Sequence, residues 1–150
     1  MTGRLLIYGE NGYTGELTAR FAAEREQQAI VAGRSAERVR AVADRYGFEH
    51  RVFGLDDPQA LLAGLVGVGV VLHCAGPFSR TSKPMIDACL AARAHYLDIT
   101  GEISVFESAA ARDVDARSAG VMLLPGTGFD VVPPTASRST LRESCPTRTS

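Results

Sequence analysis

The feature that most constrains this chain is a glycine-patterned turn placed between an apolar run and a helix-like stretch. Residues 5–8 form the apolar run, and Gly9, Gly12 and Gly15 follow it at three-residue spacing. Residues 13–25 then have a helical pattern, and a second apolar run occupies residues 29–32. This order predicts the strand–helix–strand unit that binds a dinucleotide.

The turn has a physical reason to contain glycine. A strand that turns directly into a helix exposes the first N–H groups of that helix, and these groups attract phosphate. We expect Gly9 to make the tight turn, Gly12 to lie under the pyrophosphate and Gly15 to let the helix pack close to the strand. The turn also contributes Asn11, Tyr13 and Thr14 to the predicted site. A glycine-rich turn without a ligand is the structural alternative.

The residues after the second apolar run indicate which dinucleotide binds. In NAD enzymes, an acidic residue roughly 20 positions past the glycines binds the ribose 2′-hydroxyl. Here that position contains Arg34 and Ser35, without a carboxylate. These side chains suit a 2′-phosphate, and Arg38 adds a second cation one helical turn on. We therefore predict NADP as the cofactor; the alternative is that Arg34 is a solvated charge and Ser35 only a helix N-cap.

Size and composition exclude several classes of protein. A chain of 150 residues is long enough for one domain with a sizeable core, and its net charge of −1 does not favour a nucleic-acid partner. No apolar run reaches the roughly 18 residues of a membrane span, and the first residues lack the pattern of a secretion signal. The chain has three cysteines, Cys74, Cys89 and Cys145. An odd number of cysteines without metal-binding spacing predicts a reduced, cytoplasmic protein.

Histidine and lysine positions narrow the chemistry further. His73 and Cys74 adjoin on an apolar run and are interpreted as core, so no metal site is expected. His50 and His95 fall at the starts of predicted strands, at the end of the sheet away from the chemistry. Lys83 is the single lysine, and Ser79 lies four residues before it, so the Tyr-x-x-x-Lys pair of short-chain dehydrogenases is excluded.

Strand-like and helix-like segments alternate along the chain. Four further strands are predicted at residues 50–55, 68–74, 95–99 and 121–124. The predicted helices are residues 36–46 ending at Gly47, 59–66 with Asp57 as N-cap, 82–93 with Pro84 in the first turn, and one from near Ser104 to Gly120. Six strands with helical crossovers predict an α/β, doubly wound parallel sheet, a Rossmann fold, ordered 3-2-1-4-5-6. We expect residues 1–133 to form this domain and the apolar-poor residues 134–150 to be disordered.

Ligands bind outside the carboxyl ends of the strands in this architecture. The segment Ala75, Gly76 and Pro77 follows the fourth predicted strand and is expected beside the nicotinamide ribose, with Phe78 flanking the ring. Asp56 follows the third strand, where the adenine is expected. The alternative for residues 75–78 is a simple strand-to-helix turn.

Polar residues also follow the fifth predicted strand. Asp98, Thr100, Gly101 and Glu102 place two carboxylates and a hydroxyl at the mouth of the sheet, where they can bind substrate or relay a proton. The alternative for Glu102 is a favourable charge in the first turn of a helix.

Five segments together resemble the saccharopine dehydrogenase-like oxidoreductases, a family that includes mycobacterial trans-acting enoyl reductases. They are residues 8–15, 32–35, 75–78, 96–102 and 128–133, and the resemblance covers about residues 4–133. It implies an NADP-binding Rossmann domain followed by a substrate domain of mostly β structure. In full-length members it implies hydride transfer to or from a carbonyl, imine or enoyl group.

The chain departs from the family pattern at Pro134. The substrate domain is expected to be absent, and residues 134–150 are interpreted as a translation out of frame. Such a fragment is expected to bind NADP without turnover. The alternatives are a non-catalytic NADP-sensing module of NmrA type and an inactive truncated product. Apolar surface near Leu123, Leu124, Phe129 and Val131 predicts self-association.

Overall fold

A computed structural model describes residues 3–9 and 12–128 of the chain. Strands and helices alternate along these residues. The strands are β1 (Arg4–Tyr8), β2 (Ala29–Gly33), β3 (Glu49–Val52), β4 (Val68–His73), β5 (His95–Asp98) and β6 (Leu123–Leu124). The helices are α1 (Tyr13–Glu24), α2 (Ala36–Tyr46), α3 (Pro58–Gly64), α4 (Phe78–Ala92), α5 (Ile103–Ala110) and α6 (Asp113–Ala119).

The strands form one parallel sheet in the order β3-β2-β1-β4-β5-β6, which confirms the predicted topology. β1 lies between β2 and β4, with Ile7 opposite Val31 on one side and Leu72 on the other. The chain order along the sheet reverses at β1, so the helices that follow β1 and β4 pack on opposite faces of the sheet. A crevice at this reversal is where ligands bind in doubly wound folds.

Apolar side chains of β1 and β2 alternate between the two faces of the sheet. Leu6 and Ile30 belong to a core with α3 and α4 on one face, and Ile7 and Val31 belong to a core with α1 and α2 on the other. Successive side chains of a strand point to opposite faces, so both faces of the central strands are buried. The sheet is therefore doubly wound, as predicted.

Local signals set several helix ends where the sequence predicts them. α2 spans the predicted residues, and Gly47 ends it in the left-handed conformation with φ +70°. The Asp57 carboxylate caps α3, since Oδ1 accepts the N–H groups of Gln59 at 2.9 Å and Ala60 at 3.2 Å. The predicted N-cap role of Asp57 is confirmed.

The edge strands are shorter than predicted. β3 ends at Val52, because Phe53 turns into the core. Its ring lies 5.3 Å from the Tyr8 ring between centroids, and its carbonyl accepts the Tyr8 hydroxyl at 3.1 Å. β6 contains only Leu123 and Leu124. An edge strand pairs on one side only, so tertiary contacts decide where it stops.

The predicted start of α4 at Ser82 is wrong. The helix begins at Phe78, which puts Pro84 inside it and not in its first turn. The N–H groups of Phe78 and Ser79 donate to the carboxylate of Glu102, 24 and 23 residues further along the chain. This long-range cap lets the helix begin four residues earlier than its own sequence indicates.

The predicted single helix from near Ser104 to Gly120 is two helices, α5 and α6. Ser104 lies inside the first turn of α5, whose N-cap residue is Glu102, so the predicted capping pattern does not form. The break falls at Arg112, whose guanidinium pairs with Asp87 of α4 and with Asp115 of α6. These ion pairs connect the break to the neighbouring helix.

The structure also bears on membrane spans, on metal ligands and on the positions of two histidines. Within the described residues, no helix is long and apolar enough to cross a membrane, and no three His, Cys, Asp or Glu side chains gather as metal ligands would. His50 and His95 lie at the amino ends of β3 and β5, as predicted. Asn11, Phe129, Val131 and the tail 134–150 lie outside the described residues.

Candidate functional site

The loops that follow β1, β2, β3 and β4 enclose a cavity of about 570 Å³ at the carboxyl edge of the sheet. It lies at the reversal of strand order next to β1. Its lining combines the glycine-rich turns with polar and charged side chains. The lining residues are Tyr8, Gly9, Gly12, Gly33, Arg34, Gly54, Leu55, Asp56, Cys74, Ala75, Gly76, Pro77, Arg80, Thr81 and Pro84.

Gly9 is required by the fold itself. Its φ is +90°, and a Cβ at this position would lie 2.7 Å from the backbone nitrogen of Ala75. Its own N–H donates to the carbonyl of Ala32 at 2.9 Å. Only glycine combines this conformation with such a close approach of the loops after β1 and β4.

Gly12 is a different case. Its backbone is extended, with φ −91° and ψ 161°, which any residue adopts. A Cβ there would meet one described atom outside its immediate neighbours, the Gly9 carbonyl oxygen at the ordinary distance of 3.6 Å. Neither conformation nor packing among the described residues demands a glycine. The missing side chain instead leaves open space at the start of α1, which fits a phosphate group held against the helix.

The start of α1 has the donors that such a group needs. The first N–H groups of a helix have no partner within it, and no described side chain caps those of α1. Of the predicted contact residues, Tyr13 is 86% exposed, Thr14 is half-buried and Gly15 is buried in the helix. The first N–H groups of α1 are therefore open to a ligand as far as the described side chains show; the acidic residue of its first turn, Glu16, pairs with Arg45.

Arg34 and Ser35 follow β2, and Arg34 lines the same cavity whereas Ser35 is absent from its lining. Arg34 is exposed. Ser35 is the N-cap residue of α2, yet its hydroxyl makes no capping hydrogen bond, so it is available to a ligand. Asp56 lines the cavity from the loop after β3. The structure thus places Arg34 and Asp56 on the lining of one cavity.

The lining also includes residues that the sequence did not single out, Arg80, Thr81 and Pro84 of α4. Among the described residues, neither Arg34 nor Arg80 forms a salt bridge. The cavity therefore has two arginines whose charges are not neutralised by a neighbouring carboxylate. Arg80 and Thr81 were not predicted as cavity residues, because the predicted helix start at Ser82 assigned both to the preceding loop.

A partly buried hydrogen-bond chain holds the loop after β4 from the side of His73. Thr81 Oγ1 donates to the carbonyl of Ala75 at 2.7 Å or that of Pro77 at 3.1 Å, and His73 Nε2 lies 3.0 Å from the same hydroxyl. A hydroxyl has one proton to donate, so His73 Nε2 is the donor in its pair with Thr81. Nδ1 of His73 is buried without a partner, and burial lowers the pKa of this histidine to about 4.

Ala75, Gly76 and Pro77 line the cavity, and the Gly76–Pro77 peptide bond is cis; their predicted place beside the nicotinamide ribose stays a prediction. The ring of Phe78 packs edge-on against His73, with 5.5 Å between centroids. Phe78 is half-buried and is absent from the lining of the cavity. Its predicted contact with the nicotinamide stays a prediction.

The polar residues after β5 have structural partners. Asp98 is fully buried and accepts the Tyr96 hydroxyl at 2.6 Å and the N–H groups of Thr100 at 3.0 Å and Gly126 at 2.8 Å. Burial next to Asp98 raises the pKa of Tyr96. Gly101 is exposed, while Glu102 turns towards α4. Asp98 is therefore enclosed in the core and does not face the mouth of the sheet.

Comparison with known proteins places the chain in a family of cofactor-binding domains. Residues 5–124 match the family model described as the saccharopine dehydrogenase NADP binding domain. A trans-acting enoyl reductase of Mycobacterium ulcerans (strain Agy99) is 31% identical over 137 residues, covering 86% of this chain and 33% of the relative. One from Mycobacterium leprae (strain TN) is 32% identical over the same length. The chain spans about a third of the length of these curated relatives.

Solved structures share the fold. The apo, histidine-tagged saccharopine dehydrogenase (L-Glu forming) from Saccharomyces cerevisiae aligns with a TM-score of 0.80 at 16% identity, covering 94% of this chain and 31% of that chain. The Citrobacter sp. triphenylmethane reductase complexed with NADP(H) aligns with a TM-score of 0.61 at 20% identity, covering 77% and 46%. At these identities the likeness concerns the architecture of the domain.

Proposed function

Since this chain belongs to the family of saccharopine dehydrogenase NADP-binding domains, we propose that it is the cofactor-holding part of an NADP-dependent oxidoreductase. The observation that carries the proposal is the open start of α1 beside a cavity lined by Arg34, at the reversal of strand order. NADPH, when bound, supplies a hydride. The residues of this chain bind and orient the dinucleotide.

We assign the parts of the cofactor to three groups of residues. Gly9, Gly12 and the N–H groups of residues 13–15 hold the pyrophosphate, together with Asn11. Arg34 and Ser35 hold the 2′-phosphate through charge-assisted hydrogen bonds. Asp56 lies on the adenine side, and residues 75–78 lie beside the nicotinamide ribose. The absence of a carboxylate at the end of β2 favours NADP over NAD.

For the reaction of the whole protein, we propose only the chemical class of the group that accepts the hydride. The two relatives are named trans-acting enoyl reductases, which supports an enoyl group as the hydride acceptor, with a carbonyl or an imine as the other members of the predicted class. On its own the chain is expected to bind NADP(H) without turnover, since the enclosed Asp98 and the capping Glu102 leave few groups for substrate. Hydride transfer by the isolated chain would contradict this expectation.

Two further properties belong to the proposal. The described thiols, Cys74 and Cys89, are unpaired, which supports a reducing, cytoplasmic location. Met122 and Leu124 are 48% and 43% exposed at the β6 edge, which supports self-association there. Sedimentation of the chain as a monomer at high concentration would contradict the second property.

Calorimetric titration with NADPH and NADH tests the cofactor assignment. We expect NADPH to bind more tightly than NADH, and Arg34→Asp to weaken NADPH by about 10- to 100-fold, because a charge-assisted hydrogen bond contributes about 1.5–3 kcal/mol. The same variant should not weaken NADH binding, because a carboxylate at this position can accept a hydrogen bond from the ribose 2′-hydroxyl.

Arg40→Asp is the matched control, since it makes the same charge change at an exposed position of α2 away from the cavity lining. It should leave both affinities near those of the unmodified chain. Equal binding of both dinucleotides, or an Arg34→Asp chain that keeps its preference for NADPH, would overturn the assignment.

A further inference from the structure

The side chain of Glu102 crosses from the loop after β5 to the start of α4. Its Oε1 accepts the N–H of Phe78 at 2.9 Å, and its Oε2 accepts the N–H of Ser79 at 3.1 Å. Hydrogen bonds from Ser79 and Phe78 lower the pKa of this carboxyl group. Glu102 therefore occupies the N-terminus of α4 as an anion that the protein itself supplies.

Glu102 is in turn anchored to the core. Its N–H donates to the hydroxyl of Thr100 at 3.0 Å, and the N–H of Thr100 donates to Asp98 at 3.0 Å. Thr100 and Asp98 are both buried. The carboxylate of Glu102 thus has a defined position relative to the end of β5.

The loop between β4 and α4 is consequently held at two points. Thr81 fixes the carbonyl of Ala75 from within the helix, and Glu102 fixes the N–H groups of Phe78 and Ser79 from the other side. Between these points lie Gly76 and Pro77, which line the cavity. The main chain of the loop is therefore set by side chains on two different elements before any ligand arrives.

We propose that Glu102 is a positioning residue that sets the loop 75–78 for the nicotinamide-ribose half of NADP(H). The proposal rests on the proposed function, since it concerns the same cavity. Glu102 acts through the main chain of Phe78 and Ser79. This role differs from the substrate binding or proton relay predicted from the sequence.

The test compares two ligands by calorimetric titration. NADPH carries both halves of the dinucleotide, whereas adenosine 2′,5′-bisphosphate carries the adenine, its ribose and the 2′-phosphate but no nicotinamide. Glu102→Ala is expected to weaken NADPH about tenfold, because the loop loses its preorganisation, and to leave the bisphosphate unchanged. Glu102→Gln keeps one carbonyl oxygen for one of the two N–H groups, so its loss is expected to be smaller.

Glu107→Gln is the matched control, since this exposed glutamate of α5 has no side-chain partner among the described hydrogen bonds and should change neither affinity. Thermal melting of each variant reports whether it is folded. If Glu102→Ala is unfolded, the same comparison of the two ligands is made with Glu102→Gln. Equal weakening of the two ligands, or no weakening of NADPH, overturns the positioning role. An unmodified chain that binds neither ligand overturns the proposed function, and the positioning role with it.

Discussion

Among the helices that begin at the carboxyl edge of the sheet, the four that follow strands β1–β4 have first turns of two kinds. α3 and α4 begin on carboxylates, from Asp57 and from Glu102 respectively. α1 and α2 begin on Gly12 and Ser35, and no described side chain caps either of them. All four share the same orientation and the same need for acceptors.

The difference between the two kinds indicates what each start is for. The protein neutralises the positive ends of α3 and α4 with its own anions, which leaves those ends with little attraction for a ligand. The starts of α1 and α2 have Glu16 and Glu37 in their first turns but no side-chain cap among the described residues, and they are the two at which the pyrophosphate and the 2′-phosphate are expected. Among these four helices, the placement of caps thus matches the division between the two starts where we expect cofactor phosphates and the two starts that the protein caps itself.

The largest effect is expected at the open start of α1. Gly12→Ala places a methyl group in the space where the phosphate is expected, so NADPH affinity should fall about 100-fold, corresponding to the loss of one strong charge-assisted hydrogen bond. Stability should fall by about 1 kcal/mol or less, because the new Cβ meets the Gly9 carbonyl oxygen at 3.6 Å and the cap position prefers glycine to alanine only modestly. Calorimetry and chemical denaturation measure the two effects.

Gly9→Ala is the contrasting variant. Its Cβ would lie 2.7 Å from the Ala75 nitrogen at a φ of +90°, so it should destabilise the fold by about 3 kcal/mol or more. The comparison assigns Gly12 to ligand binding and Gly9 to the fold. It would be wrong if Gly12→Ala destabilised the chain as much as Gly9→Ala, or if Gly12→Ala bound NADPH as tightly as the unmodified chain.

A second effect concerns the first turn of α4, where the Thr81 hydroxyl lies 3.0 Å from Nε2 of the neutral His73. The pKa of His73 falls from an ordinary 6.5 to about 4 in the folded chain because of burial. The unfolded chain therefore binds more protons between these values, and stability should be fully present above pH 6.5 and fall as the pH drops towards 4. The expected slope approaches 1.4 kcal/mol per pH unit, with a total of about 3 kcal/mol.

Chemical denaturation between pH 7.5 and pH 5 measures this slope. The lowered pKa values of Glu49 and Glu102 start from an ordinary 4.5, so these two groups act below that window. His73→Gln keeps an N–H donor for Thr81 without the titration, and it should flatten the profile. An unchanged slope in this variant would show that another group carries the pH dependence.

Much of the fold could be predicted because its signals are local. Ser35 and Gly47 bracket α2 in the sequence, and the Asp57-Pro58 pair marks the start of α3. The alternation of apolar runs and helical patterns was sufficient for the strand order. The cavity residues on the turns after β1 and β2 could be predicted for the same reason, since glycine spacing and Arg34 lie next to strand ends.

What could not be predicted depends on contacts between distant residues. Glu102 caps a helix that begins 24 residues earlier, so the start of α4 and the place of Arg80 and Thr81 in the cavity were missed. The break at Arg112 likewise involves Asp87 of another helix. A single sequence contains no local mark for such pairings, because each partner has an ordinary role in its own segment.

The smallest expected effects make the sharpest comparison, since two variants should act in opposite ways. Asp57→Ala removes the cap of α3 and should lower stability by about 1 kcal/mol while NADPH affinity stays unchanged. Ser35→Ala removes a hydroxyl that caps nothing, so stability should change by less than about 0.5 kcal/mol. Its NADPH affinity should nevertheless fall about tenfold, while NADH affinity holds, because the 2′-phosphate loses a hydrogen bond.

Measuring both quantities on both variants decides whether the capped and uncapped starts differ in function. A loss of NADPH affinity in Asp57→Ala would mean that α3 also serves the cofactor, and the division of the four helices would then be wrong. A loss of stability in Ser35→Ala without a change in affinity would make Ser35 an ordinary cap. We expect Asp57→Ala to lose stability alone and Ser35→Ala to lose NADPH affinity alone. This pair of results is what the comparison requires, because the helix that the protein caps with its own side chain would then serve the fold and the uncapped helix would serve the cofactor.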